Sequence, residues 1–358
     1  MHSNIDFIWS SKKDYNALMP LYNYFSKHSR LKYRIIKIHK NKYLNKIKNL
    51  KISHYTIISH SHAYYRLKNY GWDGEFFYVD HGISPIKYYS YIYSFFYHAS
   101  ILFYPGYIFK EKMDAIHNEK YKKGLLGGYP LIDDLLKTKI DKHLLINKYN
   151  LNPNKPIILY APTWGSKKNK SWGLHNQKYL SKIENLITIP HTADYTASKL
   201  FKNITIPKNR QELNDILHLS DIVISDISSI ILEATIIKKN TIQLILNDYP
   251  GTFPNIDIND KYIHLDKSII INEINNADLS KRPFKISFLD KDMIVDFKST
   301  PKNIQKTIDD IIKNPNKNHQ SREYWSKLCC WKYDGKTNER IYKMILNYVN
   351  NKTRKQFN

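Results

Sequence analysis

Cysteine is nearly absent from this chain: 358 residues contain two, adjacent at Cys329 and Cys330. That excludes a disulfide scaffold and a cysteine-rich zinc module. Glycine is scarce as well, with 11 residues, and there is no Walker loop, Gly-x-Gly-x-x-Gly or His-Glu-x-x-His. A glycine-rich phosphate cradle is therefore not expected, and neither a metal nor a cofactor is implied. The opening MHSNIDFIWSSKK lacks the apolar core of a secretory signal, so a cytoplasmic chain is the expectation. Acidic residues are outnumbered, 32 against 56 Lys and Arg, for a net charge of +24. Such a surface attracts nucleotides, phosphopolymers, nucleic acid and anionic membranes alike, and charge alone does not choose among them.

A hydrophobic share of 42% is enough for a sizeable core. At roughly 100–200 residues per domain, the length suggests two domains. Short apolar runs alternate with helical spacing: IDFIW, YRIIKI, HYTIIS and FFYVDHG in the first part, then PIILYAPTW, NLITIPH, DIVISD and NTIQLIL after the polar stretch LNPNK. This pattern predicts α/β architecture, with one Rossmann-like domain over 1–150 and a second over 151–358 that ends in helices. Residues 88–109 carry no charge over 22 positions, long enough for a membrane span. Seven of them are Tyr, however, and Pro105-Gly106 interrupts the run, so a buried helix-turn-strand is expected instead.

Residues with chemistry gather at predicted strand ends. In LSDIVISDISSIILEATIIKK, an apolar strand ends at Asp226 and a helix begins within Ser228-Ser229. Free N–H groups and two hydroxyls there suit a phosphate, and Glu233 lies one turn further on. Asp226 or Ser228 serving solely as a helix cap is the plainer alternative. His81, in VDHGISPIK, and His191, in NLITIPHTAD, each follow a strand, one in each half of the chain. Both suit proton transfer or phosphate contact across a cleft. Thr163 and Trp164 close another strand, Lys87 follows His81, and His60 with His62 could form a metal pair but lacks an evident third ligand.

Taken in order, these segments resemble the CDP-glycerol glycerophosphotransferase family, the polymerases and primases of teichoic acids and related phosphopolymer capsules. The family's His-Gly-Thr-Pro and Lys are similar to HGISPIK (His81 to Lys87), and its Gly-x-Pro-x-x-Asp to GYPLID (Gly128 to Asp133). Its Ala-Pro-Thr-[Trp/Phe] matches Ala161 to Trp164, its Asp-Tyr-Ser-Ser matches Asp226 to Ser229, and its Asp-Gly matches Asp334-Gly335. Three features depart from the pattern: Ile227 replaces Tyr, Thr192 follows His191, and HGISPIK carries one extra residue.

The resemblance implies a GT-B fold, two Rossmann-like domains facing a central cleft with C-terminal helices packing back. It implies transfer of glycerol- or ribitol-phosphate from a CDP-alditol to a polymer or lipid-linked acceptor, with CMP released. His81 and His191 would be catalytic. Thr163, Trp164, Asp226, Ser228, Ser229 and Glu233 would hold the donor, and Lys87 would meet acceptor or phosphate charge. Peripheral contact with the anionic inner face of the plasma membrane would follow, through Lys-rich 37–51 and the terminal NKTRKQ, with no nucleic-acid partner. A GT-B glycosyltransferase using a nucleotide sugar is the alternative, and a non-catalytic basic binding protein a more distant one.

Overall fold

The computed structural model describes residues 5–28, 33–41, 43–44, 50–84, 94–116, 123–163, 172–226, 228–246 and 296–357. Lys87, Trp164 and Ile227 lie outside the described residues. The strands are β1 (Ile5–Trp9), β2 (Arg34–Lys37), β3 (Tyr55–Ile58), β4 (Glu75–Val79), β5 (Ile101–Tyr104), β6 (Gly124–Leu126), β7 (Ile158–Tyr160), β8 (Leu186–Thr188), β9 (Ile222–Ser225), β10 (Asn240–Leu244) and β11 (Phe297–Ser299). The helices are α1 (Lys12–His28), α2 (Ser61–Tyr70), α3 (Tyr107–Ile116), α4 (Leu131–Lys137), α5 (Lys142–Lys148), α6 (Trp172–His175), α7 (Tyr195–Ser198), α8 (Arg210–Leu219), α9 (Ser229–Ile236), α10 (Ile304–Lys313), α11 (His319–Cys329) and α12 (Thr337–Phe357).

Two sheets result, ordered β2-β1-β3-β4-β5-β6 and β11-β10-β9-β7-β8, with every pairing parallel. Parallel strands are covered on both faces, which is why β5 and β7 are wholly apolar, β3 and β9 are apolar but for Thr56 and Ser225, and all four are buried at every position. Counted from its own first strand, each sheet runs second, first, third, fourth, fifth, and the first sheet adds a sixth. The order reverses between β1 and β3 in one sheet and between β7 and β9 in the other. Open α/β sheets bind ligands outside the carboxyl ends of their strands at such a switch point. Two Rossmann-like units with facing strand ends are therefore the architecture of the chain.

The described part of the uncharged stretch, 94–109, is a 3-10 turn (Ser94–His98), strand β5 and the start of α3. Its Phe95, Phe96, Leu102, Phe103 and Ile108 are buried. No helix among the described residues is long and apolar enough to cross a membrane.

One apolar cluster joins the two units: Leu102, Tyr104 and Ile108 from the first, Leu159, Val223 and Ile231 from the second, with Trp325, Cys329 and Cys330 of the α11 segment among them. Gly106 is required there, since a Cβ would stand 2.4 Å from the Cys329 carbonyl carbon. Helix α12 then returns to the outer face of the first sheet, where Ile341, Ile345 and Val349 pack with Phe7, Phe25, Phe77 and Phe103. Its start is fixed by Asp133 of GYPLID. The buried carboxylate accepts Thr337 N at 3.0 Å, Asn338 N at 2.8 Å and Asn338 Nδ2 at 3.0 Å. Asp133 thus satisfies two N–H groups of a helix 204 residues away in sequence. Asp133→Ala leaves those donors buried and unmet, and the expected loss is about 2–4 kcal/mol. Denaturant unfolding measures it, and an unchanged midpoint would contradict the assignment.

Candidate active site

The strand ends enclose a cleft of about 630 Å³ lined by both units. His81, Thr163, His191, Ser228, Ser229 and Glu233 line it together. Asp226 does not. It sits behind the wall, buried, where its Oδ1 accepts Thr163 N at 2.8 Å and its backbone carbonyl accepts Gln243 Nε2 at 2.5 Å. Ser225 Oγ adds a 2.6 Å bond to the Ala161 carbonyl. The end of β9 therefore holds the loop after β7 in place. Thr163 is 4% exposed, and its Oγ1 has no hydrogen-bond partner among the described residues.

The two cleft histidines are held in opposite ways. Ser59, at the end of β3, has its carbonyl oxygen 2.6 Å from His81 Nδ1. A carbonyl only accepts, so Nδ1 carries the proton and Nε2 is the accepting nitrogen of the neutral ring. At His191 the arrangement reverses. Ala193 N donates to His191 Nδ1 at 3.2 Å, capping a short 3-10 turn, so the neutral ring carries its proton on Nε2. One ring is set to take a proton and the other to give a hydrogen bond.

Helix α9 meets the His81 turn directly. Ser228 is its N-cap, its hydroxyl 3.5 Å from Ile230 N, and Ser229 Oγ accepts Ile83 N at 3.1 Å. A Cβ at position 82 would lie 2.6 Å from Ser229 Oγ, so the glycine after His81 leaves room for the Ser229 hydroxyl beside the turn. Residues Ile230 to Ile236 are all buried, as expected of a helix that is mostly apolar, with Glu233 as its one charged residue.

Glu233 is already engaged. Its Oε2 lies 2.6 Å from Arg210 Nη2, and its Oε1 accepts Tyr129 OH at 3.1 Å. Burial works against the Arg210 cation, but the charge of Glu233 outweighs it and raises the guanidinium pKa above its usual value. Burial, with Glu233 beside it, pushes the Tyr129 phenol well above its usual range. Arg210 is the first residue of α8, a helix N-capped by Asn209: Glu212 N donates to Asn209 Oδ1 at 2.9 Å, and Glu212 Oε2 accepts the N–H of Lys208, one residue before the cap, at 2.6 Å. Arg210, Lys208, Lys12 and Lys13 give the cleft cationic groups against Asp80 and Glu233. Arg210 and Tyr129 carry no sequence signal of their own. The Arg210 helix start is legible as a cap, but its partner is not.

His60 and His62, which by spacing alone could form a metal pair, also line the cleft. Their rings lie 4.5 Å apart, and the His60 ring is 5.1 Å from that of His81. Among the described residues no group of three His, Cys, Asp or Glu side chains is arranged to hold a metal ion.

The fold is shared with solved structures. The wall teichoic acid polymerase TagF superposes with a TM-score of 0.62 over 98% of this chain and 90% of that one, at 17% identity. A histidine variant of TagF, solved after a soak with CDPG, gives the same TM-score. The UDP co-structure of MnaA from S. aureus follows with a TM-score of 0.58, 13% identity and coverage of 98% and 97%. In sequence, the chain is 32% identical over 139 residues to the teichoic acid glycerol-phosphate primase of Bacillus spizizenii (strain ATCC 23059 / NRRL B-14472 / W23). That stretch is 37% of this chain and about a third, 35%, of the primase. The family model for CDP-glycerol:poly(glycerophosphate) glycerophosphotransferase matches residues 2–245, and with this match the chain belongs to that family.

Proposed function

We propose that the protein is a transferase that moves an alditol phosphate, glycerol- or ribitol-phosphate, from a CDP-alditol to a hydroxyl of a cell-surface polymer or lipid-linked acceptor. The observation that carries this reading is the opposed pair of histidines on a cationic cleft at the carboxyl ends of two parallel sheets. The acceptor oxygen attacks the β-phosphorus while its proton passes to His81 Nε2. The bond from the β-phosphorus to the bridging oxygen breaks, and CMP leaves with that electron pair. His191 Nε2–H, the start of α9 and Arg210 face the pyrophosphate and stabilise its developing charge. Positioning and electrostatics of this kind carry most of phosphoryl-transfer catalysis. Asp226 acts from behind, through the Thr163 loop, and Glu233 through Arg210.

Domains divided near residue 150 would place the acceptor on the first unit and the donor on the second. A polymer or lipid-linked acceptor brings the enzyme to the inner face of the plasma membrane, and the +24 charge supports peripheral attachment to anionic lipid there. Calorimetry with CDP-glycerol, CDP-ribitol and a UDP-sugar tests donor class. A CDP-alditol is expected to bind tightest, and Ser228→Ala to weaken it by about 1–2 kcal/mol. Preference for the UDP-sugar would favour sugar transfer instead.

A further inference from the structure

His60 is a cleft residue whose chemistry the proposed transfer does not use. It ends the approach from β3 and caps α2, with Nδ1 accepting His62 N at 3.1 Å. A backbone amide only donates, so Nδ1 is the accepting nitrogen and the neutral ring carries its proton on Nε2. Among the described residues Nε2 has no hydrogen-bond partner within the protein, and the residue lines the cleft beside His81. The ring also stays neutral. Burial pulls its pKa down to about 4, against the charge of Asp14, while His62, Lys13 and Arg66 press the same way as burial. His60 is thus a fixed N–H donor at every pH near neutrality. Next to it stands a ring whose Nε2 accepts, with centroids 5.1 Å apart and planes inclined by 31°.

We propose that His60 and His81 together form a diol subsite for the acceptor: His81 Nε2 takes the attacking hydroxyl, and His60 Nε2–H donates to the oxygen on the neighbouring carbon. The subsite rests on the transferase reading above for its purpose, but its geometry stands on the two rings alone. It selects an acceptor end carrying vicinal hydroxyls, as an alditol or sugar does, over one carrying a single isolated hydroxyl. His60 adds no charge, so this selection does not depend on ionic strength.

The test uses the full chain and sn-glycerol 3-phosphate, which carries a vicinal diol, with inorganic phosphate as the control for its anionic end. Ring-nitrogen NMR of the wild-type protein is expected to show His60 protonated on Nε2 and its signal moving with glycerol 3-phosphate but not with phosphate. His60→Asn retains an N-capping side chain for α2 and so preserves folding. It is expected to weaken glycerol 3-phosphate about three- to tenfold, the effect of one lost hydrogen bond, with CDP-glycerol affinity held within about twofold. Equal binding by His60→Asn, an Nδ1-protonated His60, or an equal response to phosphate would overturn the subsite. Absence of CMP release from CDP-glycerol by the wild type would instead count against the transferase reading. The diol titration is read independently of it.

Discussion

His81→Ala is expected to lower the rate of transfer by about 10²–10⁴, the usual effect of removing a general base. Affinity for the donor should stay within a few-fold, because the role proposed for the ring is on the acceptor proton. The substitution also removes the 2.6 Å bond between the His81 ring and the buried Ser59 carbonyl, so circular dichroism of the variant is read alongside the rate. His81→Gln is the informative companion. It can still donate to Ser59 O but has no basic nitrogen, so it should be as slow as the alanine variant. Steady-state kinetics with a fixed donor separates kcat from KM, and near-normal turnover by a folded variant would remove His81 from the mechanism.

Glu233→Ala should produce the largest loss of stability. Its carboxylate is 4% exposed and pairs with Arg210, itself 18% exposed, at 2.6 Å. Removing one partner of such a pair leaves the other charge buried and uncompensated, at a cost of about 3–5 kcal/mol. The Tyr129 hydroxyl, which bridges from the GYPLID loop of the first unit, loses the nearer of its two acceptors at the same time, keeping the His81 carbonyl at 3.4 Å. Chemical denaturation should show a markedly lower midpoint, and donor affinity should fall with it because Arg210 is no longer aimed. Replacing both residues with apolar side chains of similar volume should recover much of the stability and none of the donor affinity. A Glu233→Ala variant as stable as the wild type would mean that the pair is not formed in solution.

The strand ends are legible in the sequence because parallel strands bury both faces, so each appears as an apolar run stopped by a polar residue. That rule alone puts Asp226, His81 and His191 at the carboxyl ends of strands. The same rule misses β6 and β11, three-residue edge strands whose sequences, GLL and FKS, carry no such run. Helix α12 is plainly amphipathic, but nothing in its spacing says that it covers the first sheet rather than the second. The site is readable residue by residue and unreadable as a network. Tyr129 meets Glu233 across 104 positions, and Ser229 meets the His81 turn across 146. Contacts of that range depend on how two units face each other, which local pattern does not encode. His60 illustrates the same limit. Its spacing to His62 suggests a metal pair, and only the fold brings the His81 ring within 5.1 Å of it.

Attack at phosphorus and attack at carbon release different nucleotides. The protein is incubated with CDP-glycerol and an oligo(glycerol phosphate) acceptor, and the nucleotide product is identified by mass and by phosphorus NMR. Attack on the β-phosphorus gives CMP in step with each phosphoglycerol unit added, and His81→Ala abolishes both together. Release of CDP, or CMP formed without extension of the acceptor and unaffected by loss of His81, would contradict the account.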